Sequence, residues 1–339
     1  MATIQDVARK AGVSVATVSR VINNQGNVSQ DTVELVQKTI SELGYHPNIM
    51  ARNLRQNRTN RILVLQPSIA NPFYPSVIRG IDATASAAGY QMILSDTNND
   101  SEREKRYLAL LDTHVVDGAI ITTPCHAPEH YRAIADRYPL VFCSEDYADS
   151  PVASVTMDNR RGGYDAAKYL VGLGHRKIAF LCVYGDRHTV NQRLQGFRDA
   201  LAESGVPFPG EYLLAAASPS ETEMTETTRR VAMGVARLSQ RPTALFCTSD
   251  LIAIAAIRAL KACGLRVPED ISVCGVDNID FSSLCDPPLT TVSVPMFEMG
   301  CEAVRLLLER IKDPKTPVSR HVVPHRIVER DSTAAVTGG

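Results

Sequence analysis

The chain has 339 residues, 44% of them hydrophobic and 22% charged, with a net charge of −1, which excludes one small core and predicts a globular protein of two or three units. No apolar run reaches the length of a membrane span, and the N-terminus lacks the charged-then-apolar pattern of a secretory leader, so a cytoplasmic protein without membrane contact is expected. The eight cysteines (Cys125, Cys143, Cys182, Cys247, Cys263, Cys274, Cys285, Cys301) form no C-x-x-C pair, which predicts buried reduced thiols rather than a metal or redox site.

The first element begins at "ATIQDVARKAG". Thr3 followed by Asp6 reads as a capping box. Ile4, Val7 and Ala8 recur at helical spacing, and Gly12 supplies the residue that ends a helix at least steric cost. Ser14 and Thr17 open a second helix with Val15, Val18, Val21 and Ile22 as its apolar positions, and a third runs from Ser29 to Gly44. A small Ala8, a glycine corner and an apolar Val18 at the seam make a helix-turn-helix unit. Residues 1–60 carry seven Lys/Arg against four acids, a net +3, which leaves −4 for the remainder. A basic head on an acidic body suits a head that meets a polyanion.

Such a corner lets the first helix cross the phosphate backbone while the second enters the major groove. Val15 and Ala16 offer methyl surface to thymine, and Arg20 offers a fork to guanine. Ser14, Thr17, Ser19 and Asn23 suit phosphates, and Thr3 joins this DNA-facing set. An arbitrary three-helix domain with a solvated Arg20 is the alternative, and it leaves the corner and the basic bias unexplained. After the head, "PNIMARNLRQN" from Pro47 to Asn57 is a linker too short to be a stable helix alone. It is expected to order on DNA.

From Arg61 apolar strands alternate with amphipathic helices: "RILVLQP", "QMILSDT", "GAIITTP" and "PLVFCSE", then, after "ASVTMDN", "KIAFLCV", "TALFCTS" and "ISVCGVDN". This predicts two α/β subdomains with parallel sheets covered on both faces. Ligands in such folds bind beyond the carboxyl ends of the strands. No G-x-G-x-x-G follows a strand, and neither a P-loop nor H-E-x-x-H is present. Gly162 and Gly163 read as a packing device, His175 as structural, and no nucleophile or base stands beside Asp277. No enzyme activity and no cofactor are expected.

The blocks "ATIQDVARKAGVSVATVSRVIN", "LGYHPNIMARNLR", "NPFYPSVIRGID", "VDGAIITTP", "MDNRRGGYDAAKYLVGLGHRKIAF", "RLQGFRDAL", "RPTALFCTSDLIAIAAIRAL", "VPEDISVCGVDNID" and "DPPLTTVSVP" occur in order along nearly the whole chain. In this the sequence resembles the LacI/GalR family of bacterial transcriptional regulators. The resemblance implies an N-terminal all-α helix-turn-helix head (residues 1–46), a hinge-helix linker (47–60) and a periplasmic-binding-protein-like α/β body (61–339). Within the body it places one subdomain at about 61–158 and 291–320 and the other at about 159–290 and 321–333. It implies a homodimer, expected to repress, on a pseudo-palindromic double-stranded operator, with paired hinge helices wedging Leu54 into a minor-groove step and Ala51 alongside.

A small-molecule effector is expected between the subdomains, lined by Phe73, Ser144, Arg187, Thr189, Arg193, Ser249 and Asp277. Val294 replaces a glutamine found in many sugar-responsive members, and Ser218 stands where an aromatic often closes the cleft. With the second cation Arg187, and His188 beside it, these departures favour an oxyanion such as a sugar acid or sugar phosphate. A purine is the alternative, since Arg187, Thr189 and Arg193 also resemble the purine repressor's pocket. Control by a phosphocarrier protein is a further alternative: "PMFEMGCEAVRLLLERI" resembles a catabolite-control docking helix, with Arg305 matching and Phe297 in place of a tyrosine.

Overall fold

The structure, a computed structural model, describes residues 2–23, 26–45, 58–147, 150–183, 187–217 and 223–336. The chain divides into two compact units, Met1–Thr59 and Asn60–Gly339.

Among the described residues of the first unit three helices follow: α1 (Ile4–Ala11), α2 (Val15–Ile22) and α3 (Gln30–Leu43). The capping box forms: Thr3 Oγ1 accepts from the Asp6 amide at 3.3 Å, and Asp6 Oδ2 accepts from the Thr3 amide at 3.0 Å. Gly12 ends α1 with φ 66°, the left-handed region. Ser14 then caps α2 by accepting from the Thr17 amide at 3.0 Å. Val7, Ala8, Ala11, Val18, Val21 and Val36 close the small core.

In the second unit, two six-stranded sheets form. The first contains β1 (Arg61–Gln66), β2 (Gln91–Asp96), β3 (Gly118–Ile121), β4 (Leu140–Cys143), β5 (Ala153–Met157) and β11 (Arg320–Val323). Its order is β11-β5-β4-β3-β1-β2, parallel throughout. The second contains β6 (Ile178–Cys182), β7 (Leu213–Ala215), β8 (Ala244–Cys247), β9 (Ser272–Asp277), β10 (Thr290–Ser293) and β12 (Arg326–Val328). Its order is β12-β10-β9-β8-β6-β7, with only β12 antiparallel to its neighbour. Strands β3, β4, β6 and β8 are buried along their whole length, which is why they read as unbroken apolar runs. Cys143, Cys182, Cys247 and Cys274 are buried within them or in β9.

The helices of this unit are α4 (Tyr74–Ala87), α5 (Ser101–Asp112), α6 (Pro128–Ala135), α7 (Asn159–Gly172), α8 (His188–Glu203), α9 (Met224–Val235), α10 (Asp250–Ala262), the short α11 (Phe281–Leu284) and α12 (Met296–Lys312). Helix α12 packs on β3, β4 and β5 and against α4. The chain therefore crosses between sheets after β5, after β10 and after β11. The sequence expectation put the later two crossings at 290/291 and 320/321, but β10 bonds to β9 (Val292 opposite Val276) and β11 bonds to β5 (Val322 opposite Thr156). Each crossing is shifted towards the C-terminus, to follow Ser293 and Val323. Hydrogen-bond partnership decides which sheet a strand joins, and a short apolar run does not encode it. No helix among the described residues is long and apolar enough to cross a membrane.

Two helix pairs meet backbone to backbone. A Cβ at Gly163 on α7 would overlap the Arg193 carbonyl on α8, and one at Gly196 would overlap the Arg160 carbonyl. On the other side, a Cβ at Gly80 on α4 would overlap the Phe297 carbonyl, and one at Gly300 would overlap the Val77 carbonyl. Gly163 is thus a packing glycine. Overpacking a rigid contact costs about 1–3 kcal/mol or more, so Gly163→Ala and Gly196→Ala should each lower the melting temperature by several degrees. A melting temperature unchanged by both substitutions would show that the helices separate freely.

Candidate functional site

On the head, the exposed surface of α2 is formed by Ser14, Val15, Ala16 and Arg20, with Thr17, Ser19 and Asn23 half-buried beside them. Val15 is 41% exposed at the start of α2. Some polar groups are already engaged: Ser14 Oγ and Thr17 Oγ1 lie 2.9 Å apart, and Asn23 Nδ2 donates to the Ser19 carbonyl at 2.7 Å. Thr3 hydroxyl donates to Asp6 Oδ2 at 2.6 Å, which holds the Asp6 carboxyl below the usual range. The linker residues Ala51 and Leu54 lie outside the described residues, as does Ser218.

In the body, the chain leaves six strands at their carboxyl ends around one cleft. Phe73 follows β1, Thr123 follows β3, and Ser144 and Glu145 follow β4. Opposite them, Arg187, Thr189 and Arg193 follow β6, Ser249 follows β8 and Asp277 ends β9. An inner cavity of about 70 Å³ is lined by Phe73, Ser144, Arg187, Thr189, Arg193, Ser249 and Asp277, all seven of the body residues expected from sequence. An outer cavity of about 490 Å³ adjoins it and shares Thr123, Glu145 and Arg187 with it.

Arg193 is held firmly. Its Nε donates to Asn159 Oδ1 at 2.9 Å and its Nη1 to the Thr248 carbonyl at 2.5 Å. Arg187 Nη2 donates to Asn99 Oδ1 at 3.2 Å at the mouth of the outer cavity. Phe73 meets Tyr74 edge to face at 5.2 Å, and the Tyr74 hydroxyl lies 3.0 Å from Thr123 Oγ1. Ser144 has φ 85° and Asp277 φ 126°, both left-handed values that turn the chain sharply at the strand ends.

Sequence reasoning missed three acids here. Glu145 lines both cavities, and burial pushes its carboxyl up to about 7 against the opposing pull of Arg187 and Arg193. Asp250 accepts the Ser282 and Thr291 hydroxyls at 2.5 Å each and the Ile279 amide at 3.1 Å. It thereby clamps the turn that follows Asp277, and burial raises its own pKa to about 6. Asp277 is raised as well, by burial first, with Arg193 opposing and Asp250 adding to the shift. Glu104 is fully buried under the outer cavity, where it accepts the Tyr131 hydroxyl at 2.5 Å and the Cys125 amide at 3.0 Å. The one local signal, for Glu145 and Asp250, was an acid two or three residues beyond a strand end, as in "CSED" and "CTSD". The cleft therefore faces two guanidiniums with two carboxyls, which oppose the cations only to the extent that they ionise.

His175 is buried in a turn, its Nδ1 2.9 Å from Thr243 Oγ1. On α12, Phe297 is 41% exposed while Arg305 Nη1 donates to Glu302 Oε2 at 2.9 Å. Among the described residues no group of His, Cys, Asp or Glu is arranged to hold a metal ion.

Residues 3–48 match the lacI family of bacterial regulatory proteins, and residues 167–333 match the periplasmic binding protein-like domain. The chain is 36% identical over 338 residues to the HTH-type transcriptional regulator DegA of Bacillus subtilis, covering 98% of each. It is 36% identical over 340 residues to the HTH-type transcriptional repressor CytR of Escherichia coli, covering 99% of this chain and 97% of that one. Among solved structures, the lac repressor dimer bound to operator and the anti-inducer ONPF superposes with a TM-score of 0.86 at 29% identity, over 98% of this chain and 99% of that one.

A left-handed backbone costs an L-residue with a Cβ about 1–2 kcal/mol. Gly12→Ala should therefore destabilise the head by that amount and leave the melting of the larger unit unchanged, as read by amide exchange in the full chain. Equal protection of α1 and α2 before and after the substitution would contradict the corner assignment.

Proposed function

The chain belongs to the lacI family of bacterial regulatory proteins, and from that premise we propose a homodimer that reads a pseudo-palindromic operator with α2 and is switched by an effector in the body cleft. It is a DNA-binding transcriptional regulator with an effector-binding body. The observation that carries the effector reading is the convergence of seven nominated side chains from both sheets on one cavity.

One head reads only a few base pairs, and two-fold symmetry doubles the site. In our reading Val15, Ala16 and Arg20 contact base edges. Thr3, Ser14, Thr17, Ser19 and Asn23 contact backbone, and Leu54 with Ala51 enters the minor groove. The exposed valine at the start of α2 supports this reading, because methyl surface is what a thymine edge accepts. Half-site spacing in the selected DNA and dimer mass in sedimentation test the symmetry; a monomer with full specific affinity contradicts it.

For the effector, the balance of two guanidiniums and two carboxyls supports a neutral, hydroxyl-rich molecule. Guanidiniums donate to its oxygens and carboxylates accept from its hydroxyls. Sugar acids, sugar phosphates and purines are the competing arms of one thermal-shift screen. A ligand shifts the DNA-competent population only by its difference in affinity between states. A body joined by three crossings can offer two degrees of cleft closure for a ligand to select between. On this reading the regulator needs no catalytic group, and turnover of any binding metabolite would argue against it.

Arg20→Ala should cost about 1–3 kcal/mol and relax preference at one base pair. A uniform loss over all sequences with a shallower salt dependence would make Arg20 a phosphate contact instead. Arg187→Ala should abolish the effector response and keep ligand-free operator affinity, measured by fluorescence anisotropy. Retention of the full response would remove Arg187 from the effector site.

A further inference from the structure

Glu145 lies two residues beyond β4, is 4% exposed, and lines both the inner and the outer cavity. Thr189 Oγ1 donates to its Oε1 at 3.3 Å, while its Oε2 is buried without a partner among the described residues. Buried carboxylates elsewhere in this unit are met: Glu104 by Tyr131 and the Cys125 amide, Asp250 by Ser282, Thr291 and the Ile279 amide. A buried acceptor left unmet is a standing cost in the empty protein. Here it sits on the wall of a cavity.

We propose that Glu145 selects the effector by accepting a hydrogen bond from an O–H or N–H of a neutral ligand that reaches from the inner cavity into the outer one. The proposal rests on the effector-cleft reading above. Arg187 and Arg193 face the carboxyl from the opposite half, together with Thr189 and, in the outer cavity, His188. Asp146 and Tyr147 flank it on its own segment, and Asp277 lies across the inner cavity. The guanidiniums are donors, and on the effector-cleft reading they serve a ligand's acceptors. Among the described residues, what the site lacks is a donor for Glu145 Oε2. A phosphate or carboxylate at this neck would bring an anion against a carboxyl. A hydroxyl or amine with a further ring beyond it fills both cavities and meets the need.

Burial raises the Glu145 carboxyl to about 7, with Arg187, Arg193 and the Thr189 hydroxyl pulling the other way. A donor from the ligand favours the ionised form, so binding expels a proton and affinity rises from about pH 6 to pH 8. In the empty protein the sign runs the other way. A carboxyl whose folded pKa exceeds its unfolded value stabilises below the unfolded pKa, and that stability is lost as pH rises through about 7.

The test compares full-length wild type, Glu145→Gln and Glu145→Leu. Without ligand, Glu145→Gln should melt about 2–4 °C above wild type at pH 8, with a smaller gain at pH 5. A wild type that melts as high as Glu145→Gln at pH 8 makes Glu145 a structural residue and overturns the proposal. Calorimetry then uses D-ribose, adenosine, cellobiose and ribose 5-phosphate as probes. A neutral probe that binds wild type should bind Glu145→Leu about tenfold more weakly or worse, and should bind wild type more tightly at pH 8 than at pH 6. Tighter binding of ribose 5-phosphate to wild type than to Glu145→Gln also overturns the proposal. If no probe binds any of the three proteins, the effector-cleft reading fails for these classes, and the melting comparison alone judges Glu145.

Discussion

The cleft depends on the backbone contact between α7 and α8. Gly163 and Gly196 leave no room for a methyl group between those helices, so α8 is fixed against α7 at van der Waals distance. Arg193 sits inside that contact, its own carbonyl touching Gly163. Its guanidinium then reaches Asn159 at the start of α7 and the carbonyl at the end of β8. A long, rotamer-rich side chain is thereby held in one position by parts that cannot slide. The matching contact of Gly80 and Gly300 fixes α4 against α12 in the other half. Phe73, the residue preceding α4, is carried into the cleft by that second contact.

The buried carboxyls divide into two kinds, and the division follows their partners. Asp250 and Glu104 take two or three donors each and hold loops: the turn beyond Asp277 in one case, the segment Cys125–His126 in the other. Their burial is compensated by good hydrogen bonds, as a buried charge requires. Glu145 has a single weak partner. Asp277 is opposed by Arg193 alone among the cations and is kept in place by the Asp250 clamp behind it. Among these buried carboxyls, those that face the cavity have fewer hydrogen-bond partners than those one step behind them. Stability is given up where a ligand can restore it.

The helix-turn-helix corner was legible because each of its parts is local. A capping box, a left-handed glycine and an N-cap serine all act within a few residues, and all three formed as read. The α/β alternation was legible because fully buried parallel strands carry continuous apolar runs. Strands β7, β10, β11 and β12 were not: β10 carries hydroxyl side chains at three of its four positions, and the others are short edge strands with exposed positions and no period to read. The seven residues now lining the inner cavity came from family resemblance, and their convergence is a product of five strand ends that no local pattern encodes. Glu145 and Asp250 escaped because an acid after a strand reads as a solvated loop residue. Only the tertiary fold reveals that one of them is clamped and the other left open.

The threading of the chain has a consequence for how the protein is made. Strands β1 to β5 are complete by residue 157, yet the helix that covers one face of their sheet spans Met296–Lys312, and the edge strand beside β5 begins at Arg320. A ribosome therefore releases most of the first sheet long before its last layer exists. That sheet has one face covered only by α4, with β5 as an unpaired edge, while the whole second half is synthesised. The half that is made first is finished last. Neither half is a contiguous stretch of chain: each sheet is completed by a strand that follows Lys312.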